Sequence, residues 1–384
     1  MLLKLLFRNA FRHRLRALLT IGGIAVAILA FGLLRTVISA WYAGVDASSA
    51  SRLVTRNAIS LIFSLPLSYK EKIRGVDGVS MVSYGNWFGG IYIDEKNFFA
   101  NFAIEPRSYF NLYSEFLLSS DESTAFFRER KACVAGQKLA RRFGWRIGDI
   151  ITLRGTIFPG NWDFVLRGIY QGKDKNIDEN QFFFHWDYLN ETLRKTTPRR
   201  ADQVGFYMIG LKRPDQAAAT AEAVDGLFRN SYAETLTETE KAFQMSFVSM
   251  SEAIITVILL VSYVIIVIIM AVVANTMAMS VRERMGEFAV FKTLGFGWGY
   301  FVGLILGESL TLTAIGGLLG IAVTFPTASA FGQAVGQFFP IFHVSTETIV
   351  MDMAAAALVG IVAAVIPIWR VVQVRIADGL GRIG

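Results

Sequence analysis

Residues 275–320 read NTMAMSVRERMGEFAVFKTLGFGWGYFVGLILGESLTLTAIGGLLG, and the order of chemistry in this stretch decides the fold. It begins in an apolar run, passes through a short charged amphipathic helix, breaks at glycines and enters a second apolar run. Arg282, Glu283, Arg284, Glu287 and Lys292 alternate in sign after Ser280, while Met285, Phe288, Ala289 and Phe291 supply an apolar side. A spanning helix needs about 20 mostly apolar residues, because lipid cannot satisfy backbone polar groups. The stretch therefore reads as two spans joined by a short helix. With one face of that helix free, Met285 and Phe288 are expected to be exposed together, as a coupling element suited to a groove on a partner.

Working outward, two more apolar blocks complete a set of four, at residues 18–40, 252–280, 300–330 and 348–370. Residues 253–281 carry no formal charge, whereas the other blocks contain Arg35, Glu308 and, near the start of the last, Asp352. The whole chain has 384 residues, 53% apolar and 18% charged, with a mean hydropathy of +0.43. Soluble proteins average roughly 45–50% apolar and about 25% charged, so a cytosolic enzyme, a disordered chain and a fibrous protein are all excluded. The first block is longer than a signal-peptide core and lacks a small-residue cleavage site, which makes it a permanent anchor.

Orientation follows the cations near the membrane. Residues 1–17 hold Lys4, Arg8, Arg12, Arg14 and Arg16 without an acid, the 281–299 loop holds Arg282, Arg284 and Lys292, and the 371–384 tail follows Arg370 with Arg375 and Arg382. The short 331–347 connection has no lysine or arginine. Both ends and the 281–299 loop are thus expected to be cytoplasmic, with 331–347 and the large 41–251 segment outside. Residues 1–17 form an amphipathic pattern whose cations suit anionic lipid headgroups at the interface.

The 41–251 segment has 26 basic and 24 acidic residues. The net charge of +7 therefore marks membrane topology rather than a nucleic-acid surface. Its pattern is mixed α/β. Strands are predicted at 59–65, 79–84, 90–93, 101–104, 149–153, 164–170 and 204–210. Helices are predicted at 131–143 and 214–230, with a further helix running unbroken from about residue 237 into the second span as a stalk. A single cysteine, Cys133, excludes an intrachain disulfide. Small residues recur four apart at Gly303 and Gly307, at Gly316 and Gly320, and at Ala356, Gly360 and Ala364, predicting close helix contacts within the chain or with another copy.

Enzyme motifs are missing. There is no phosphate-binding G-x-x-x-x-G-K-[ST] loop, since GEFAVFKT at 286–293 lacks the second glycine. There is no H-E-x-x-H or C-x-x-C, and His185 in FFFHWDY reads as core. No catalytic residue, bound cofactor or metal is expected. Arg35 and Glu308 are the two ionisable residues set within apolar blocks. Arg35 lies near enough to the outer end to snorkel, and Glu308 fits a hydrogen bond to a neighbouring helix better than a proton relay.

The segment SVRERMGEFAVFKTLG resembles the pattern S-V-x-E-R-x-x-E-[IF]-x-x-x-[KR]-x-L-G of MacB/FtsX/LolCE-type (type VII) ABC transporter permeases. RNAFRHRLRALLTIGGIAVAI is similar to that family's basic elbow and first span, and GESLTLTAIGGLLG to its third. AGQKLARRFGWRIGDIITLRG with FVLRGIY is similar to its extracytoplasmic module. IPIWRVVQVRIADGLGRIG resembles its terminal signature, with Ile376 and Gly379 departing from it. The resemblance implies four transmembrane helices with a large mixed α/β extracytoplasmic domain between the first and second. It implies a non-enzymatic subunit of the bacterial inner membrane, paired as a homodimer or related heterodimer, with ATP and magnesium on separate ABC ATPase subunits. Ser280, Arg282, Glu283, Arg284, Met285, Glu287, Phe288 and Lys292 would then couple the ATPase to the outer domains by mechanotransmission. The resulting activity would be export or extraction of a lipid, lipoprotein, glycolipid, drug or toxin. A periplasmic membrane-fusion adaptor and an outer-membrane channel are further partners of that outcome. The alternative is activation of a cell-wall hydrolase without transport, as in the FtsX-like branch.

Overall fold

The first helix after the basic start covers Arg14–Ala47, preceded by a bend at Arg12 and His13. We describe the protein from a computed structural model, which covers residues 10–335, 339 and 341–373. Most of the expected elbow helix, and the tail bearing Arg375, Ile376, Gly379 and Arg382, lie outside the described residues. The chain divides into a helical unit (residues 1–40, 251–334 and 342–384) and an α/β unit (residues 41–250 and 335–341).

Among the described residues, four helices are long and apolar enough to cross a membrane: Arg14–Ala47, Glu252–Glu283, Trp298–Val335 and Thr346–Gln373. In the helical unit the small residues decide which helices meet. A Cβ placed on Gly316 would stand 2.7 Å from Ile24 Cβ and 3.0 Å from the Ile21 carbonyl oxygen, and one on Gly320 would stand 2.7 Å from the Ala25 carbonyl oxygen. The third span helix thus lies against the backbone of the first. Ser309 Oγ donates to the Gly360 carbonyl at 2.7 Å, tying the third to the fourth. Gly303 has no neighbouring heavy atom within 4 Å of its would-be Cβ. Gly316→Leu is therefore expected to force the first and third spans apart at a cost of about 1–3 kcal/mol, whereas Gly303→Ala leaves stability unchanged or slightly raised. Thermal unfolding of the detergent-solubilised chain checks both.

In the α/β unit, 13 strands are β1 (Arg52–Asn57), β2 (Leu65–Pro66), β3 (Val79–Trp87), β4 (Gly90–Ile91), β5 (Asn101–Ile104), β6 (Phe116–Leu117), β7 (Ala132–Gly136), β8 (Ile150–Gly155), β9 (Gly160–Gly172), β10 (Phe182–His185), β11 (Gln203–Val204), β12 (Phe206–Leu211) and β13 (Thr235–Thr239). The main sheet runs β13-β1-β12-β3-β5-β10-β7-β9-β8-β4, with β6 paired to β9. Successive side chains on a strand point to opposite faces, and both faces of this sheet are covered. Phe182 and Phe184 enter one core while Phe183 enters the other, and Cys133 and Ala135 alternate likewise with Ala132 and Val134. Burial on both sides explains why β7 and β10 read as unbroken apolar runs. It also pushes the Cys133 thiol well above its ordinary range.

Three expectations fail here. All of KACVAG at 131–136 except Lys131 forms strand β7, and the helix is only Gln137–Phe143, ended by Gly144 in the left-handed region (φ 68°). Residues 59–63 form a loop exposing Ile59, Leu61, Ile62 and Phe63. After β1 the Ala58 amide bonds to the Glu234 carbonyl at 2.9 Å and the Ile59 amide to Asn57 Oδ1 at 3.0 Å, so the chain turns off the sheet. The stalk is not one helix: residues 235–239 pair with β1, Glu240–Met250 is a separate helix, and a break at Ser251 precedes Glu252–Glu283. Thr237 is held in the sheet because its amide and hydroxyl both donate to the Asp225 carboxylate, at 2.9 and 2.7 Å.

Candidate coupling site

The second span helix ends at Glu283, and Arg284 (φ −106°, ψ 10°) separates it from a short helix, Met285–Thr293. Gly295 then turns the chain in the left-handed region (φ 86°), ahead of the third span helix. Ser280, Arg282 and Glu283 therefore ride on the last turn of a span, while Met285, Glu287, Phe288 and Lys292 belong to the short helix.

Arg284 is buried at this joint, 8% exposed. Its Nη1 donates to the Glu308 carboxylate at 3.0 Å and its Nε to Glu287 at 3.3 Å, and the guanidinium lies 5.3 Å from the centre of the Phe288 ring. Ser280 Oγ donates to the other oxygen of Glu308 at 3.2 Å. Glu308, 4% exposed, is thus the fixed point to which the second span, the joint and the third span are fastened. A charge so buried is tolerable because it is paired and hydrogen-bonded.

The expectation that Met285 and Phe288 are exposed together is overturned. Phe288 is 2% exposed and meets Phe301 of the third span edge-to-face at 5.7 Å, while Met285 is half-buried against the same core. The turn at Arg284 lays the apolar side of the short helix inward. Lys292 also serves the interior, its Nζ donating to the Val371 and Val372 carbonyls at 3.3 and 3.0 Å, near the end of the fourth span helix. A cation at carbonyls of the last described turn of a helix is favourable.

From the N-terminal side, Arg12 Nη1 donates to Glu287 at 2.5 Å, and Arg16 grips Glu283 with two bonds of 2.7 and 2.9 Å. The hydrogen bond from Arg12 holds the Glu287 carboxyl below its ordinary range. Arg282 is exposed and makes no ion pair or hydrogen bond with the described residues. Apolar exposure falls one to three turns beyond where the sequence placed it, at Val290, Leu294, Phe296 and Trp298, with Leu294 and Trp298 69% and 71% exposed.

Other polar clusters escaped the sequence reading. In the α/β unit, Arg52 Nε donates to Glu240 at 2.7 Å, Tyr113 OH donates to Glu240 at 2.9 Å, and the Ser49 amide bonds to Glu240 at 2.8 Å. Arg52 also pairs with Glu115 at 2.7 Å and stacks 4.2 Å from the Tyr113 ring centre. Arg52 opens β1 and Glu240 opens the Glu240–Met250 helix, so one buried cluster joins the strand by which the chain enters the unit to the helix by which it leaves. The visible signal was an arginine at the first position of the strand RLVTRN. In the helical unit, Asp352 is fully buried against Gly32, and neither of its carboxylate oxygens has a hydrogen-bond partner among the described residues. Arg35, half-buried, makes no ion pair among the described residues.

Residues 17–227 match the family described as MacB-like periplasmic core domain, and residues 259–376 match the FtsX-like permease C-terminal family. The chain is 25% identical to an uncharacterized ABC transporter permease of Methanocaldococcus jannaschii over 94% of its own length and 92% of that protein's. Over 110 residues, 29% of this chain and 16% of the other, it is 31% identical to the macrolide export ATP-binding/permease protein MacB of Shewanella sp. strain ANA-3. The extracellular domain of the noncanonic ABC-type transporter YknZ from Gram-positive bacteria aligns at 12% identity with a TM-score of 0.37, covering 49% of this chain and all of that one.

Proposed function

We propose that this chain, which belongs to the family of ABC transporter permeases built from a MacB-like periplasmic core domain and an FtsX-like C-terminal region, is the mechanical intermediary between an ABC ATPase and its own α/β unit. ATP and magnesium sit on the ATPase subunit. The permease works as a pair in the cytoplasmic membrane, with residues 1–17, 281–299 and 371–384 on the ATPase side. The cargo class is an amphiphile, such as a lipid, a lipoprotein or an apolar drug, extracted or exported as the α/β units change shape.

The observation that carries this reading is an exposed apolar edge beside a fastened helix. Val290, Leu294, Phe296 and Trp298 face outward. Meanwhile Arg284–Glu308, Arg12–Glu287 and Arg16–Glu283 bind the joint, the short helix and the end of the second span to the third span and to the start of the first. A partner seated on that edge cannot swing the short helix alone and must displace the bundle. Arg284 acts as an internal bolt in this scheme, and the contact with the ATPase belongs to the apolar edge. Apolar anchors at an interface cost about 2 kcal/mol or more each when truncated. Leu294→Ala with Trp298→Ala is therefore expected to reduce co-purification of the ATPase and its permease-stimulated hydrolysis by at least about tenfold, with the unfolding midpoint unchanged. Full ATPase recovery by the double variant would sink the assignment.

A further inference from the structure

We propose that the cleft between the start of the first span helix and the second span helix is a headgroup site for an anionic phospholipid. The cleft holds about 730 Å³ and is lined by Arg12, His13, Arg14 and Arg16, with Leu15, Leu19 and Val272 as its apolar surface. No carboxylate of the described residues lines it. Its two threonines are spent on their own helices, Thr20 Oγ1 donating to the Arg16 carbonyl at 2.8 Å and Thr276 Oγ1 to the Val272 carbonyl at 2.9 Å. The donors left for an anion are the guanidinium groups and the His13 imidazole, whose Nε2 already lies 3.4 Å from Glu283.

Charge balance singles out one of them. Arg12 and Arg16 are matched by Glu287 and Glu283, whereas Arg14 is exposed and makes no ion pair or hydrogen bond with the described residues. One positive charge is left over, which suits the single negative charge of a phosphodiester. The apolar surface selects the source of that phosphate. Leu15, Leu19 and Val272 are 73%, 69% and 48% exposed, and Leu19 lies about 7 Å farther into the span than Arg14 at 1.5 Å per residue. Acyl chains cover these side chains, and a soluble anion leaves them bare. The inference goes beyond the coupling reading and needs only that these helices cross a bilayer.

The test uses the full chain in neutral detergent, with phosphatidylglycerol, phosphatidylcholine or inorganic phosphate added and bound lipid counted by native mass spectrometry. Phosphatidylglycerol should be retained in preference to phosphatidylcholine. Arg14→Gln should weaken that retention about fivefold, the contribution of one cation near an anionic surface. Arg14→Lys should keep most of it, and Arg229→Gln, an exposed arginine of the α/β unit, should leave it unchanged. Equal retention of the two lipids, competition by inorganic phosphate alone, or an Arg14→Gln variant that binds normally would each overturn the proposal.

Discussion

Replacing Arg284 with alanine is expected to destabilise the helical unit by about 3–5 kcal/mol, the usual loss when one partner of a buried ion pair is removed. The carboxylate left behind, Glu308, is 4% exposed and would keep only the Ser280 hydroxyl, at 3.2 Å. Glu287 would lose one of its two cations but, being exposed, could recover solvent. The damage therefore comes from Glu308, and this gives a second variant that separates causes. Arg284→Met with Glu308→Met removes both charges while keeping apolar volume, and should regain most of the lost stability. Thermal unfolding in detergent reads both variants. A single variant as stable as the parent would mean that Glu308 finds water or another donor. The same reasoning makes Arg284→Ala unsuitable for probing the ATPase contact, since lost coupling would follow from a loosened bundle.

Glu240→Ala should have the next largest effect, in the α/β unit. Glu240 is 6% exposed and accepts bonds from Arg52, Tyr113 and the Ser49 amide. Truncation strands a buried guanidinium, a buried phenol and a backbone donor at once. Arg52 keeps Glu115 at 2.7 Å, which holds the expected loss near the lower end of about 3–5 kcal/mol. Glu240→Gln retains an acceptor and should lose less. Circular dichroism melts of the full chain separate the three proteins, and a glutamine variant with the parent's midpoint would show that the charge contributes nothing. Because the cluster joins β1 to the helix leading toward the second span, the variant should also raise hydrogen exchange in both segments together.

The failed expectations share a cause. Residues 131–136 carry helix-compatible alanines and a lysine start, yet parallel pairing with β9 and antiparallel pairing with β10 make them a strand. Residues 237–239 look like the approach to a span, but β1 and the Asp225 carboxylate hold them in the sheet. Residues 59–65 have strand composition, and only Leu65 finds a strand partner, in β11. Local propensity is a weak preference that pairing and burial override.

Four spans, their order and the place of the α/β unit between the first and second were set by the sequence alone. The energetics there are one-dimensional: some twenty contiguous residues either can or cannot satisfy their backbone within lipid, and no other part of the chain alters that. Which side chains of the charged 280–292 segment face inward was decided only by the tertiary structure. Arg284 turns inward because Glu308 waits 24 positions away on another helix, and Phe288 follows it onto Phe301. A buried ion pair or an edge-to-face ring contact has its energy in the meeting of distant residues, so neither half shows in the sequence until the chain has folded.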